Sequence, residues 1–259
     1  MLQWFRRRVS RRSEIASVIA AVRDAVVAIL RIHPLPLDSE PSAPASVPQF
    51  QVSLVGTAWC IVENRFLVTA YHVFNNGAAR DPNDRFYVFA VPQNGPAAYP
   101  TVVTGFPIED SNTDMAVLEI ARPLPPAPHL PAVPITFERQ LDGQSVVTYG
   151  FPSPVIATVS VDPNGNWIGG DFFLKGHANE GIVSGQFETG GQLFYELNVG
   201  WYNGESGGPI FTLVPIAVFA VMQQYRNIQT QHGIVPGPRQ ARAITVIESK
   251  LRSIGARVV

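Results

Sequence analysis

Apolar residues recur along this chain in short runs cut by proline and glycine, the pattern of strands and turns more than of helices. Residues 24–32 read Asp-Ala-Val-Val-Ala-Ile-Leu-Arg-Ile, a largely buried strand that His33-Pro34 ends. Residues 51–62 predict a strand pair or one strand bent at Gly56. Further strands are expected at 65–70, 86–91, 101–105 and 115–120, with a polar stretch at 108–113. After Ile120 the runs resume at 145–149, 155–161, 172–174, 181–187, 193–199, 210–211 and 216–224. Asp162-Pro163-Asn164-Gly165-Asn166 is a hairpin turn by its residue chemistry. Helical spacing occurs only at the two ends. Residues 13–22 suit a short helix with Ser13 as N-cap, and Ile244, Ile247, Leu251 and Ile254 mark an amphipathic helix after Ala243.

Two proline-rich stretches punctuate the pattern. Residues 34–49 hold five prolines and read as an exposed, stiff loop, whereas residues 121–134 hold six and form the clearest internal boundary. The expected organisation is a basic N-terminal tail and short helix (1–23), a strand-rich unit (24–120), a linker (121–134), a second strand-rich unit (135–242) and a closing helix and tail (243–259). The fold class is all-β, with two similar barrels and short terminal helices.

Composition narrows the function classes. A net charge of -1 argues against a nucleic-acid partner for the chain as a whole. Five arginines lie within the first twelve residues, but Arg23, Asp24 and Arg31 interrupt the apolar run behind them, so neither an export signal nor a membrane span is expected. The single cysteine, Cys60, leaves no partner for an intrachain disulfide and fits a cytoplasmic setting; inside an apolar run it reads as a small buried hydrophobe.

The candidate chemistry centres on Trp201-Tyr-Asn-Gly-Glu-Ser-Gly-Gly-Pro-Ile210. Glycines around Ser206 permit backbone conformations closed to other residues, and the N–H groups of Gly204 and Ser206 could converge on one oxyanion. A serine hydroxyl needs a general base, and the base needs an orienting acceptor. Of the five histidines, His72 ends a buried strand where a side chain can be held at a cleft edge; His33, His129, His177 and His232 lie in loop-like surroundings. Asp114 stands at the mouth of the strand 115–120, with Asp110 as its rival. No His/Cys/Asp/Glu grouping has the spacing of a metal site, and no phosphate-binding glycine loop opens a helix.

Four segments together resemble the chymotrypsin-like serine peptidases, most closely the bacterial HtrA type and simpler trypsin-like peptidase domains. They are Leu67-Val-Thr-Ala-Tyr-His-Val73, Thr113-Asp-Met-Ala-Val-Leu118, Gly143-Gln-Ser-Val-Val-Thr-Tyr-Gly-Phe-Pro152 and Gly204-Glu-Ser-Gly-Gly-Pro209, in that order across residues 24–254. The resemblance implies two six-stranded antiparallel β-barrels with a triad between them. Ser206 would be the nucleophile, His72 the base and Asp114 its orienting carboxylate, with Gly204 and Ser206 supplying the oxyanion hole. The implied reaction is hydrolysis of a polypeptide substrate through an acyl-enzyme, with no cofactor. The alternatives are a catalytically silent trypsin-fold binding module and an esterase with the same triad. By the same resemblance the S1 pocket falls near Gly200 and at Val221 and Met222, which implies a small or medium apolar P1 residue. Two departures stand out: Glu205 precedes the serine where the family carries Asp or Asn, and Val73 replaces a disulfide cysteine after the histidine. Neither a zymogen step nor regulation through a PDZ domain is expected.

Overall fold

A computed structural model describes residues 14–35, 49–75, 80–92, 98–152, 155–200, 202–231 and 233–259. The arginine-rich tail, most of the 34–49 proline loop and His232 lie outside them. The chain opens with helix α1 (residues 14–22), whose Val18 and Val22 are buried. A short 3-10 turn over Arg23–Ala25 leads into the first barrel.

That barrel comprises β1 (Val26–Pro34), β2 (Phe50–Val62), β3 (Phe66–Ala70), β4 (Arg85–Ala90), β5 (Tyr99–Asp110) and β6 (Met115–Ile120), closed in the order β1-β2-β3-β6-β5-β4. Every pair is antiparallel. Trp59, Leu67, Phe74, Phe89 and Met115 fill its core. The second barrel closes as β10-β11-β14-β13-β12-β7. Its strands are β7 (Ser145–Gly150), β10 (His177–Thr189), β11 (Gln192–Asn198), β12 (Pro209–Thr212), β13 (Ala217–Thr230) and β14 (Gly233–Ala243). Its core is smaller, built on Val183, Ile210, Met222 and the edge-to-face pair Tyr195–Phe219, whose centroids are 5.0 Å apart. Full closure leaves neither sheet a free edge, the usual solution for a chain so rich in strands.

The structure refines the expected elements at several points. Residues 51–62 form one strand, β2, with a register shift opposite Ile29/Leu30 just before Gly56, so the bend is a bulge and not a hairpin. The polar segment after Gly105 stays in β5: a second irregularity at Gly105/Ile108 returns Ile108 to register with Val117. The turn at 162–166 joins β8 (Val155–Val161) to β9 (Trp167–Phe173), a separate two-stranded ribbon. That ribbon leaves barrel two and docks on barrel one. Trp167 packs edge-to-face on Phe89 at 5.3 Å, its backbone N–H donates to Tyr87 Oη at 3.1 Å, and Arg85 Nε donates to the Asn164 carbonyl at 2.9 Å. Strand β14 is absent from the sequence reading. Pro236, Gly237 and Pro238 break its apolar pattern, and it pairs with β13 across register shifts that absorb them.

The chain closes with a 3-10 turn (Ile244–Ile247) and helix α2 (Glu248–Ser253). Ile244, Ile247 and Leu251 are buried against the core of barrel one, so the last segment of the chain straps back onto the first. Among the described residues no helix is long and apolar enough to cross a membrane.

Candidate active site

The site is assembled by three loops that the barrels bring together. The first follows β3. Its strand is wholly buried, and the chain turns at once into a 3-10 helix, Tyr71–Phe74. Phe74 anchors that turn in an edge-to-face cluster with Phe86 and Phe106, at 4.9 and 5.2 Å. Val73 and Phe74 point inward, and the His72 side chain is left 40% exposed.

The second loop joins β5 to β6. Asp110 Oδ1 accepts the N–H groups of Asn112 and Thr113, at 3.1 and 3.2 Å, capping the turn. Asp110 Oδ2 takes Lys250 Nζ from α2 at 2.9 Å. This rival carboxylate is therefore committed to the turn and to the C-terminal helix. Asp114 follows at φ +50, a left-handed conformation that aspartate tolerates better than most residues. In that pose its carboxylate meets His72 twice: Oδ1 accepts the His72 backbone N–H at 2.8 Å and Oδ2 lies 2.9 Å from Nδ1. The Asp114 carbonyl also accepts the Tyr71 N–H at 3.1 Å. Two contacts fix both the position and the tilt of the imidazole.

The third loop carries Ser206. Glu205 N–H donates to the Tyr202 carbonyl at 3.2 Å, and Gly204 has φ +100, the type II turn pattern in which the third residue must be glycine or nearly so. Gly207 is pressed still closer. A Cβ there would fall 2.0 Å from Thr69 Oγ1 and 2.3 Å from the Thr57 carbonyl. The backbone is then pinned throughout: Gly207 N–H to the Met222 carbonyl, Gly208 N–H to the Glu205 carbonyl and Thr57 N–H to the Ser206 carbonyl, all at 2.8–2.9 Å. Two N–H groups of this loop, those of Gly204 and Ser206, have no acceptor among the described residues. The Ser206 hydroxyl donates to the Gln223 carbonyl at 3.3 Å, and among the described residues no hydrogen bond joins it to His72.

Glu205 is 4% exposed. Among the described residues it finds hydrogen bonds in place of a direct ion pair. Oε2 accepts the Tyr202 N–H at 2.8 Å and Oε1 accepts Asn179 Nδ2 at 3.2 Å. Burial pushes its pKa up to about 7, while those two donors and the more distant Arg239 pull the other way.

Thr57 on β2 is the residue that ties the serine loop to barrel one, and the sequence offered no signal for it. Fully buried, it donates through Oγ1 to the Gly204 carbonyl at 2.8 Å and accepts the Phe151 N–H at 3.2 Å. Thr57→Val keeps the shape and leaves both groups without a partner. It is expected to lower stability by about 2 kcal/mol in a urea melt, whereas Thr57→Ser retains the hydroxyl and most of that loss is recovered.

Of the S1 candidates, Met222 borders the serine loop through its main chain, while the other histidines and Cys60 have separate surroundings. Gly200 is exposed beside Asn179, and the side chains of Val221 and Met222 are buried in the packing of the two barrels. His33 Nδ1 lies 2.7 Å from Asp84 Oδ1, within a cluster that includes Asp81. Arg31, 2.7 Å from the other Asp84 oxygen, already supplies a cation there. His129 pairs with Glu63 on the surface at 2.5 Å. His177 borders an open cavity of about 250 Å³ with Lys175 and Tyr202. Cys60 is buried and its thiol pKa is pushed up to about 12 by burial, so it is a packing residue.

A family model described as a trypsin-like peptidase domain matches residues 56–214. Among solved structures, the chain is similar to the HtrA-type protease AlgW with decapeptide, at 17% identity and a TM-score of 0.62, covering 93% of this chain and 67% of that one. It is also similar to Deg5, at 17% identity and a TM-score of 0.57, covering 92% of each. No curated protein sequence gives a match.

Proposed function

The chain belongs to the trypsin-like peptidase domain family, and from that premise we propose that it is a serine endopeptidase acting through Ser206, His72 and Asp114. The observation that carries this reading is the coincidence of two arrangements. His72 is held through Nδ1 by Asp114, which directs Nε2 outward, and the serine loop keeps two N–H groups without an acceptor among the described residues. In the resting state the Ser206 hydroxyl donates a hydrogen bond to the Gln223 carbonyl. Rotation about its Cα–Cβ bond releases that contact and presents the hydroxyl to the imidazole; loose nucleophile–base contacts are common before substrate binds.

The steps follow from the residues. His72 Nε2 takes the Ser206 proton as Oγ attacks the substrate carbonyl. Asp114 keeps the remaining proton on Nδ1 and stabilises the imidazolium. The N–H groups of Gly204 and Ser206 receive the developing oxyanion; the peptide that carries the Ser206 N–H is held at its carbonyl end by Gly208 N–H, and Thr57 holds the neighbouring Gly204 carbonyl. His72 then protonates the leaving amine, and water repeats the sequence to release the acid from the acyl-enzyme. The carried-over specificity reading remains a small or medium apolar P1 residue.

The Ser206–Gln223 contact is also what a silent binding module would show. Unfolded casein and a short activated ester separate the readings. An endopeptidase cleaves both, with a burst of one acyl group per active site on the ester. An esterase cleaves only the ester, and a binding module neither.

A further inference from the structure

Behind Asp114 lies a buried cation to which the triad chemistry assigns no task. Arg242, on β14, is 9% exposed and makes no ion pair with a carboxylate among the described residues. Its Nε donates to Gln223 Oε1 at 3.2 Å and its Nη1 to the Asn112 carbonyl at 3.2 Å. Nη1 also donates to Gln192 Oε1, and the guanidinium lies over the Phe194 ring, 4.2 Å from its centroid. Burial drags its pKa below the usual arginine value, with Asp114 and then Asp110 drawing it back. A buried charge without a contacting counter-ion is costly, and an aliphatic side chain would fill the space without that cost.

The contacts of Gln223 show what the cation does. The Gln223 side-chain oxygen is occupied by Arg242, so its Nε2 faces the other way and donates to the carbonyls of Thr113 and Asp114, at 3.2 and 3.1 Å. With the amide reversed, an oxygen would face two carbonyl oxygens. The main-chain carbonyl of the same residue accepts the Ser206 hydroxyl at 3.3 Å. One residue on barrel two thus touches both the Asp114 peptide and the nucleophile, and Arg242 sets its orientation. Asn112, two residues before Asp114, is held by the same guanidinium.

We propose that Arg242 is a positioning residue which, through Gln223 and Asn112, holds the left-handed Asp114, and with it His72, in place relative to Ser206. This rests on the triad reading above. The effect passes through other residues, so Arg242 touches no reacting atom.

Four variants test it: Arg242→Met, Arg242→Lys, Gln223→Leu and the Met/Leu double variant. The rate of Ser206 labelling by a fluorophosphonate is read per folded molecule, and the His72 Nδ1 proton by its downfield NMR resonance. Arg242→Met is expected to slow labelling about 10- to 100-fold and to broaden or remove that resonance. On a cleaved peptide the loss falls on kcat, with KM changed by no more than about twofold. Arg242→Lys keeps the charge and recovers part of the rate. Gln223→Leu cuts the link with the guanidinium intact and shows a comparable loss, so the test stands even if Arg242→Met fails to fold. The double variant is no slower than the worse single one, as for two members of one chain of contacts. A wild-type labelling rate and an unchanged resonance in folded Arg242→Met and Gln223→Leu would overturn the proposal, whatever the melting temperature. Absence of Ser206-dependent labelling in the wild type would instead overturn the triad reading, and the resonance would still decide whether Arg242 positions His72.

Discussion

Asp114→Asn is expected to lower kcat for peptide hydrolysis about 10⁴-fold, and Ser206→Ala about 10⁶-fold, with little change in melting temperature for either. The two losses have different origins. Ser206→Ala deletes the attacking atom, and what survives is binding and the two free N–H groups. Asp114→Asn leaves an isosteric side chain but exchanges an acceptor-only group for an amide. At 2.9 Å from Nδ1 an amide NH₂ favours the tautomer with its proton on Nε2, where His72 can no longer accept one from serine. The second contact sharpens the expectation. Asp114 also accepts the His72 backbone N–H at 2.8 Å, so the amide oxygen is drawn to that donor and its nitrogen to the ring. Active-site titration separates this outcome from misfolding: Asp114→Asn still takes up a fluorophosphonate, slowly and completely, whereas Ser206→Ala never does.

Glu205→Gln is expected to make the protein more stable at pH 8 by up to about 3 kcal/mol and to leave stability at pH 4 nearly unchanged. Folding raises the Glu205 pKa from 4.5 to about 7, chiefly by burial, so the folded state holds a proton that the unfolded chain has released. The contribution is full below pH 4.5. It falls as the pH rises toward 7 and is flat above, because both states are then ionised. Glutamine removes this slope. Its oxygen can still accept the Tyr202 N–H, and its NH₂ faces Asn179, whose amide can turn to accept it. The turn that holds the Gly204 N–H therefore survives, and the labelling rate should stay near that of the wild type. Urea melts of both proteins from pH 4 to pH 8.5 measure the difference; parallel curves would show that Glu205 is ionised throughout, and the account of its burial would then be wrong.

The chain discloses what is local. A buried strand that runs into His72, an aspartate at the mouth of another strand, and a serine among glycines each fit in fewer than ten residues, so each is visible as a motif. Their partners are not. Thr57 meets the Gly204 carbonyl across 147 residues, and Gln223 meets Asp114 across 109. Both are ordinary residues on ordinary strands until closure of the two barrels brings them together. Arg242 is hidden for a second reason: Pro236, Gly237 and Pro238 break the apolar pattern of its strand, β14, so nothing in the sequence marks it as a strand residue facing inward. Glu205 was conspicuous as a departure, but its answer lay in Asn179 on β10, a residue with no pattern of its own. The bend at Gly56 stands as one of two readings, and the continuity of β5 past Gly105 escapes, for a third reason: irregular registers blur the alternation from which strands are read.

The central claim is that Ser206 is a nucleophile activated by His72. Intact-mass measurement after fluorophosphonate treatment, followed by peptide mapping, tests it most directly. The account predicts one adduct per chain, located on Ser206, absent from Ser206→Ala and formed far more slowly in His72→Ala. An unmodified wild-type chain, or an adduct that persists in Ser206→Ala, would contradict it.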